Sequence, residues 1–241
     1  MTDETTRQKT ATVVIDFQNM HLCGWDAYTD REDSPYEHFL DPVKLAMVAA
    51  QRSDAVLSGL IICRGLPVKD KASHWYDREQ ASAWRRRALE EKVTDIDVRF
   101  QPLTYFPDGS AREKKVDIDC ALEFVGAAMK EESDVIILAT HDRDFTPALE
   151  KASESSSEIR QMIWGDGDFI QFHPMMYRSK KPINPIVLGI DDWRKCHDKT
   201  NWNYAAKAHE RKIGYEQAME TMEESRAERM NAAKAILSAG D

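Results

Sequence analysis

Apolar residues along this chain gather into short β-branched runs separated by longer stretches of helical spacing. Thr12-Val13-Val14-Ile15 is the first run, and residues 55–63, 96–106, 135–139 and 159–164 repeat the theme. Residues 135–139 are apolar throughout and too few for a typical helix, the pattern of a central parallel strand covered on both faces. Between the runs lie helical patterns. Asp41-Pro42 opens one, with Asp41 as N-cap, Pro42 at the first position and an apolar stripe through Leu45, Val48 and Ala49. Residues 78–92 have helix-forming composition. From Asp117 to about Lys130 the residues Leu122, Val125 and Met129 recur as a stripe predicted to be buried. Phe145 to Leu149 begins another helix, ending at the serine-rich turn 153–157. Strand and helix alternate, which implies a parallel sheet with right-handed crossovers.

The punctuation is less regular. Residues 23–42 are acidic, aromatic and without period, the pattern of a loop or lid. Arg64-Gly65-Leu66-Pro67 is predicted to turn into a basic and aromatic segment, and Pro107-Asp108-Gly109-Ser110 is a strong turn signal. Gly165-Asp166-Gly167-Asp168 is ordinary turn chemistry. Phe169, Phe172, Met175, Met176 and Tyr177 are expected to pack on the sheet, and residues 184–189 to add a last short strand. From 204 to 238 one long helix is predicted, with Tyr215, Met219, Met222, Met230, Ala233 and Leu237 near a single stripe. Such a helix cannot hide its stripe alone, so it packs on its own domain or pairs with a second copy. The expected organisation is a disordered stretch at 1–10, an α/β domain at 11–170, an irregular extension at 171–203 and a C-terminal helix at 204–241.

Composition narrows the class. The 241 residues are 42% hydrophobic and 31% charged, enough for one sizeable core. Cys23, Cys63, Cys120 and Cys196 contain no CxxC pair, which favours buried thiols in a reducing compartment over disulfides or zinc. No apolar h-region opens the chain and no run approaches a membrane span, so a cytoplasmic, soluble protein with no membrane partner is expected. The formal net charge of −9 argues mildly against nucleic acid. Its distribution matters more than its sum. Lys69, Lys71, Arg85, Arg86, Arg87, Lys114 and Lys115 are candidate phosphate contacts, and three successive arginines cannot all face one way on a helix.

The chemistry concentrates where strands end. Asp16 and Asn19 follow the first run, and Thr140, His141, Asp142 and Asp144 follow the run at 135–139. In open α/β sheets this is where ligand crevices lie. Asp117 opens the intervening helix, while Asp119 and Glu123, four apart, share a face of it. Either set could point toward Asp16. Asp16 and Asp117 each have a plainer reading as helix N-caps. Carboxylates gathered in one crevice repel one another and are usually neutralised by a cation or a raised pKa. Hard oxygen donors of this kind suit Mg²⁺ or Mn²⁺. Asn19 adds an amide able to place a water or a phosphate oxygen, and Thr140 a hydroxyl able to bond a carboxylate or a substrate phosphate.

Three stretches together, Val13-Val14-Ile15-Asp16-Phe17-Gln18-Asn19, Lys114-Lys115-Val116-Asp117 and Thr140-His141-Asp142-Arg143-Asp144-Phe145, resemble the NYN domains of the PIN-like nuclease superfamily. The resemblance covers about residues 10–170. It implies a PIN-like three-layer α/β/α sandwich with a mainly parallel sheet, and a metal-dependent endoribonuclease acting on RNA. On that match Asp16, Asp117, Asp142 and Asp144 are the metal-binding carboxylates and Asn19 a positioner of substrate or water. The family usually has a small residue where His141 stands and commonly an Asp where Glu123 stands, so His141 is expected to narrow the crevice or touch substrate. A haloacid-dehalogenase-like phosphatase wants an acidic residue at Gln18, and a dinucleotide-binding fold wants glycines between Asp16 and His21. The alternatives that remain are a non-catalytic RNA-binding module and a nuclease acting on DNA.

Overall fold

The computed structural model describes residues 7–29, 39–67, 72–106, 111–113, 115–165, 181, 183–198 and 200. Along the chain, β1 (Lys9–Asp16) runs into α1 (Phe17–Tyr28), β2 (Phe39–Leu40) into α2 (Pro42–Gln51), and β3 (Ala55–Leu66) precedes α3 (Ala72–Glu90). Then come β4 (Asp95–Pro102), the short pair β5 (Thr104–Tyr105) and β6 (Ala111–Arg112), and α4 (Val116–Lys130). β7 (Val135–Ala139), a 3-10 turn at Arg143–Phe145, α5 (Thr146–Ala152), β8 (Glu158–Trp164), β9 (Asn184–Leu188), α6 (Ile190–Cys196) and β10 (His197–Asp198) complete the described chain.

Six strands form one sheet in the order β4-β3-β1-β7-β8-β9, with every pair parallel. Strand alternation divides the interior into two cores. Val13 and Ile15 of β1 and Ile137 and Ala139 of β7 face α1, α2, α3 and α6, meeting Met20, Leu45, Trp84 and Trp193. Val14, Ile136 and Leu138 face the other way, onto Cys120 and Phe124 of α4 and Leu149 of α5. Side chains of successive strand residues point to opposite faces, so a fully apolar β7 is what a twice-covered strand needs. The expected three-layer α/β/α sandwich with a central parallel sheet is the architecture observed.

Several local expectations are corrected. Chain 23–28 is not loop, because α1 continues to Tyr28 with its inner side buried through Met20, His21 and Gly24. Arg64-Gly65-Leu66 is not a turn, since β3 continues beside β4 as far as the Leu66–Pro102 pair. The run at 96–106 is broken: β4 ends at Pro102, and β5 turns back on β6. On α4 the buried stripe is Val116, Cys120, Phe124 and Ala128, whereas Leu122 is 66% exposed and Met129 43%. Two apolar stripes compete on that helix, and the larger Phe124 takes the sheet. Asp117 is not the N-cap, a position held by Lys115 in the left-handed region (φ 74°) without a side-chain cap bond.

The chain after 170 also contributes to the sheet. β9 is its sixth strand, and Trp193 and Cys196 of α6 lie in the first core, with Tyr28, Trp164 and Trp193 packed ring against ring. All four cysteines are free thiols. The turns at 107–110 and 166–168, the apolar residues 169–177 and the helix expected at 204–238 lie outside the described residues.

Candidate active site

Parallel pairing brings the acidic residues together. Ile15 of β1 pairs with Ala139 of β7, so the next residues of the two strands, Asp16 and Thr140, emerge side by side at the C-terminal edge. Thr140 Oγ1 lies 3.3 Å from both Asp16 Oδ2 and Asn19 Oδ1. It also accepts the Asp142 N–H at 3.1 Å. Asp16 keeps its role as cap of α1, Oδ1 accepting from the Asn19 N–H at 3.4 Å. The cap and the crevice are thus the same carboxylate. Asn19 Oδ1 also accepts the His141 N–H at 2.8 Å, which commits its carbonyl to holding the end of β7 and leaves its NH₂ as the free donor. Asp142 caps the 3-10 turn through Oδ1 and the Asp144 N–H at 2.9 Å.

Electrostatics gather the same groups. Burial pushes the Asp16 carboxyl up to about 7, with the charges of Asp117 and Glu113 adding to the effect. Asp117, in the first turn of α4, is raised by partial burial and by Asp142 and Asp144. Glu113 is raised chiefly by burial, and the charges of Asp117 and Asp77 act in the same direction. Asp117 is the common neighbour at this edge: its charge acts on Asp16 and Glu113, and the charges of Asp142 and Asp144 act on it. Glu113 escaped the sequence reading. Its signal was an acid four residues before Asp117, at the entry to a helix.

Arg64 borders this group. Its guanidinium packs over Phe17 and Trp84 and bonds Asp77 at 2.5 Å and Gln80 at 2.7 Å. Other expected site residues lie elsewhere. Glu123 pairs with Arg99 at 3.0 Å, and Asp119 also acts on Arg99, so these two acids serve β4 rather than the crevice. His141 Nε2 accepts the Trp164 N–H at 2.9 Å, and burial lowers the ring to about 4. A neutral ring tied to β8 in this way braces the crevice wall. Arg87 is bonded to Asp41 and lies 3.6 Å from Asp198, while Arg86 is exposed and Arg85 half-buried on the same helix. Lys115 is exposed beside Asp117. Lys69, Lys71 and Lys114 fall outside the described residues.

Among the described residues no three His, Cys, Asp or Glu side chains stand close enough to cage a metal. The donor set is nonetheless all hard oxygen, and Asp16 is a buried carboxylate with no counter-charge among the described residues. That fits a hydrated cation such as Mg²⁺, which keeps several waters and takes one or two carboxylates directly.

The family model described as NYN domain matches residues 10–172. A solved structure of a protein of unknown function from Vibrio parahaemolyticus is 17% identical, with a TM-score of 0.43, covering 66% of this chain and 83% of that one. No match was found among curated proteins.

Proposed function

Because this chain belongs to the NYN domain family, within the PIN-like nuclease superfamily, we propose that it hydrolyses RNA phosphodiester bonds with Mg²⁺ or Mn²⁺. The observation that supports this reading best is the edge formed by Asp16, Asp117, Asp142 and Asp144, whose mutual repulsion no cation of the described residues offsets. On this reading one or two of Asp16, Asp117, Asp142 and Asp144 would hold the ion directly and the others through its waters. When bound, it lowers the pKa of a water and offsets charge developing on the leaving oxygen. Thr140 orients the Asp16 carboxylate through its hydroxyl. Asn19, its carbonyl locked to the end of β7, presents its NH₂ toward a phosphate oxygen or water. Arg64 packs over Phe17, the residue after Asp16, and over Trp84.

RNA is the proposed substrate, with Arg85, Arg86 and Lys115 as the described cations available to its phosphates. A homodimer through residues 204–241 is proposed as well, from the apolar stripe of that segment. The spread of the carboxylates favours one second reading, a non-catalytic RNA-binding module. End-labelled RNA and matching DNA, incubated with Mn²⁺, Mg²⁺ or EDTA and compared with Asp142→Asn, separate these readings. Metal-dependent RNA cutting lost in the variant supports the ribonuclease. Equal cutting of DNA widens it to a general nuclease, and RNA held without cutting replaces it by the binding module.

A further inference from the structure

Glu113 precedes α4 by three residues, and its Oε1 accepts the Gly65 N–H at 2.6 Å. A Cβ at position 65 would run into Glu113 Oε1 and Leu103 Cδ2, so a larger residue there would displace the Glu113 carboxylate. Gly65 lies two residues beyond Cys63, the partner of Asp16 in the β1–β3 register. The bond therefore ties the entry of α4 to the strand beside Asp16. Lys115 at the N-cap makes no side-chain cap bond, so among the described residues the Glu113–Gly65 bond is what fastens that entry to β3.

The charge of Glu113 is only partly offset. Among the described residues it forms no ion pair, and the Arg64 guanidinium whose charge reaches it is bonded to Asp77. A half-buried carboxylate with one oxygen on a backbone N–H, and with its nearest favourable charge already engaged by Asp77, is stabilised further by an added cation.

We propose that Glu113 is a positioning residue of the cation site: through Gly65 it sets Asp117 relative to Asp16, and its negative charge strengthens binding of Mg²⁺ or Mn²⁺. The inference rests on the cation-dependent reading above. Groups that orient direct ligands typically change metal affinity by about 10–100-fold when lost.

Titration of the full chain with Mn²⁺, by calorimetry and by electron paramagnetic resonance of free Mn²⁺, tests it without reference to activity. Glu113→Gln keeps a carbonyl to accept the Gly65 N–H and removes only the charge. It is expected to bind Mn²⁺ roughly tenfold more weakly, while the metal-free variant melts no lower than wild type. Glu113→Ala, losing bond and charge, is expected to bind more weakly still. Wild-type affinity in Glu113→Gln overturns the proposal. If Asp142→Asn loses Mn²⁺ binding in the same series, the cation site itself stands and only the role of Glu113 falls. If the wild-type chain takes up no Mn²⁺, the cation-dependent reading fails, and this inference with it.

Discussion

Thr140 Oγ1 stands 3.3 Å from Asp16 Oδ2, joining the ends of two neighbouring strands whose residues are 124 positions apart. The same hydroxyl reaches Asn19 Oδ1 and receives the Asp142 N–H, so one buried side chain connects three residues of the acidic edge.

Removing that hydroxyl takes this partner from the Asp142 N–H and from Asp16 Oδ2, leaving Asp16 only its Asn19 N–H bond, whereas serine keeps it. Thr140→Val is expected to lose about 1–3 kcal/mol of stability, and Thr140→Ser much less. Urea unfolding followed by circular dichroism measures both. Nuclease activity of Thr140→Val should fall about tenfold, since Asp16 is no longer oriented.

Asp16 and His141 impose opposite pH slopes on the metal-free protein. The Asp16 carboxyl sits near 7 in the fold against an ordinary 3.8, so its penalty is absent below about 4 and grows as pH rises to 7. The His141 ring sits near 4 against an ordinary 6.5, so its contribution is full above about 6.5 and is lost as pH falls toward 4. At 1.36 kcal/mol per unit the first spans about 4 kcal/mol and the second about 3 kcal/mol. Between pH 4 and 7 the two largely cancel. Stability of Asp16→Asn should therefore rise with pH over that window and that of His141→Gln should fall, read from denaturant midpoints at a series of pH values. Parallel profiles for the two variants would contradict the assignment.

Arg87 and Arg86 are adjacent but differ in employment. Asp41 is fully buried and caps α2 through the Val43 N–H at 3.1 Å, with Arg87 as its bonded cation. Arg87→Ala leaves that charge with only Lys44, 3.7 Å away, and is expected to cost about 3 kcal/mol. Arg86→Ala should leave the thermal midpoint within a degree or two and weaken RNA binding, if the arginine run serves phosphates. Filter binding of labelled RNA at two salt concentrations checks the second part.

The two stripes of α4 make a clean contrast. Phe124 is fully buried and Leu122 is 66% exposed, so Phe124→Ala should cost about 3–5 kcal/mol and Leu122→Ala under about 0.5 kcal/mol. Comparable losses at both positions would mean that another surface covers Leu122.

Much of the fold was legible in the chain. The five β-branched runs each marked a strand of the sheet, and the cap at Asp41 with Pro42 opened α2 as expected. The acidic edge was legible too, because Asp16, Asp142 and Asp144 directly follow strands whose ends topology must place together. Strand period, caps and turn chemistry are properties of neighbours in sequence, and local spacing carries them. Which stripe of α4 is buried, why Glu123 turns to Arg99, why His141 is tied to Trp164 and how Glu113 reaches Gly65 were decided elsewhere. These choices depend on partners 23 to 48 residues away, brought near only after the sheet and its covering helices have closed. Their energies are exchanges of water for a specific neighbour, and no local period contains the identity of that neighbour.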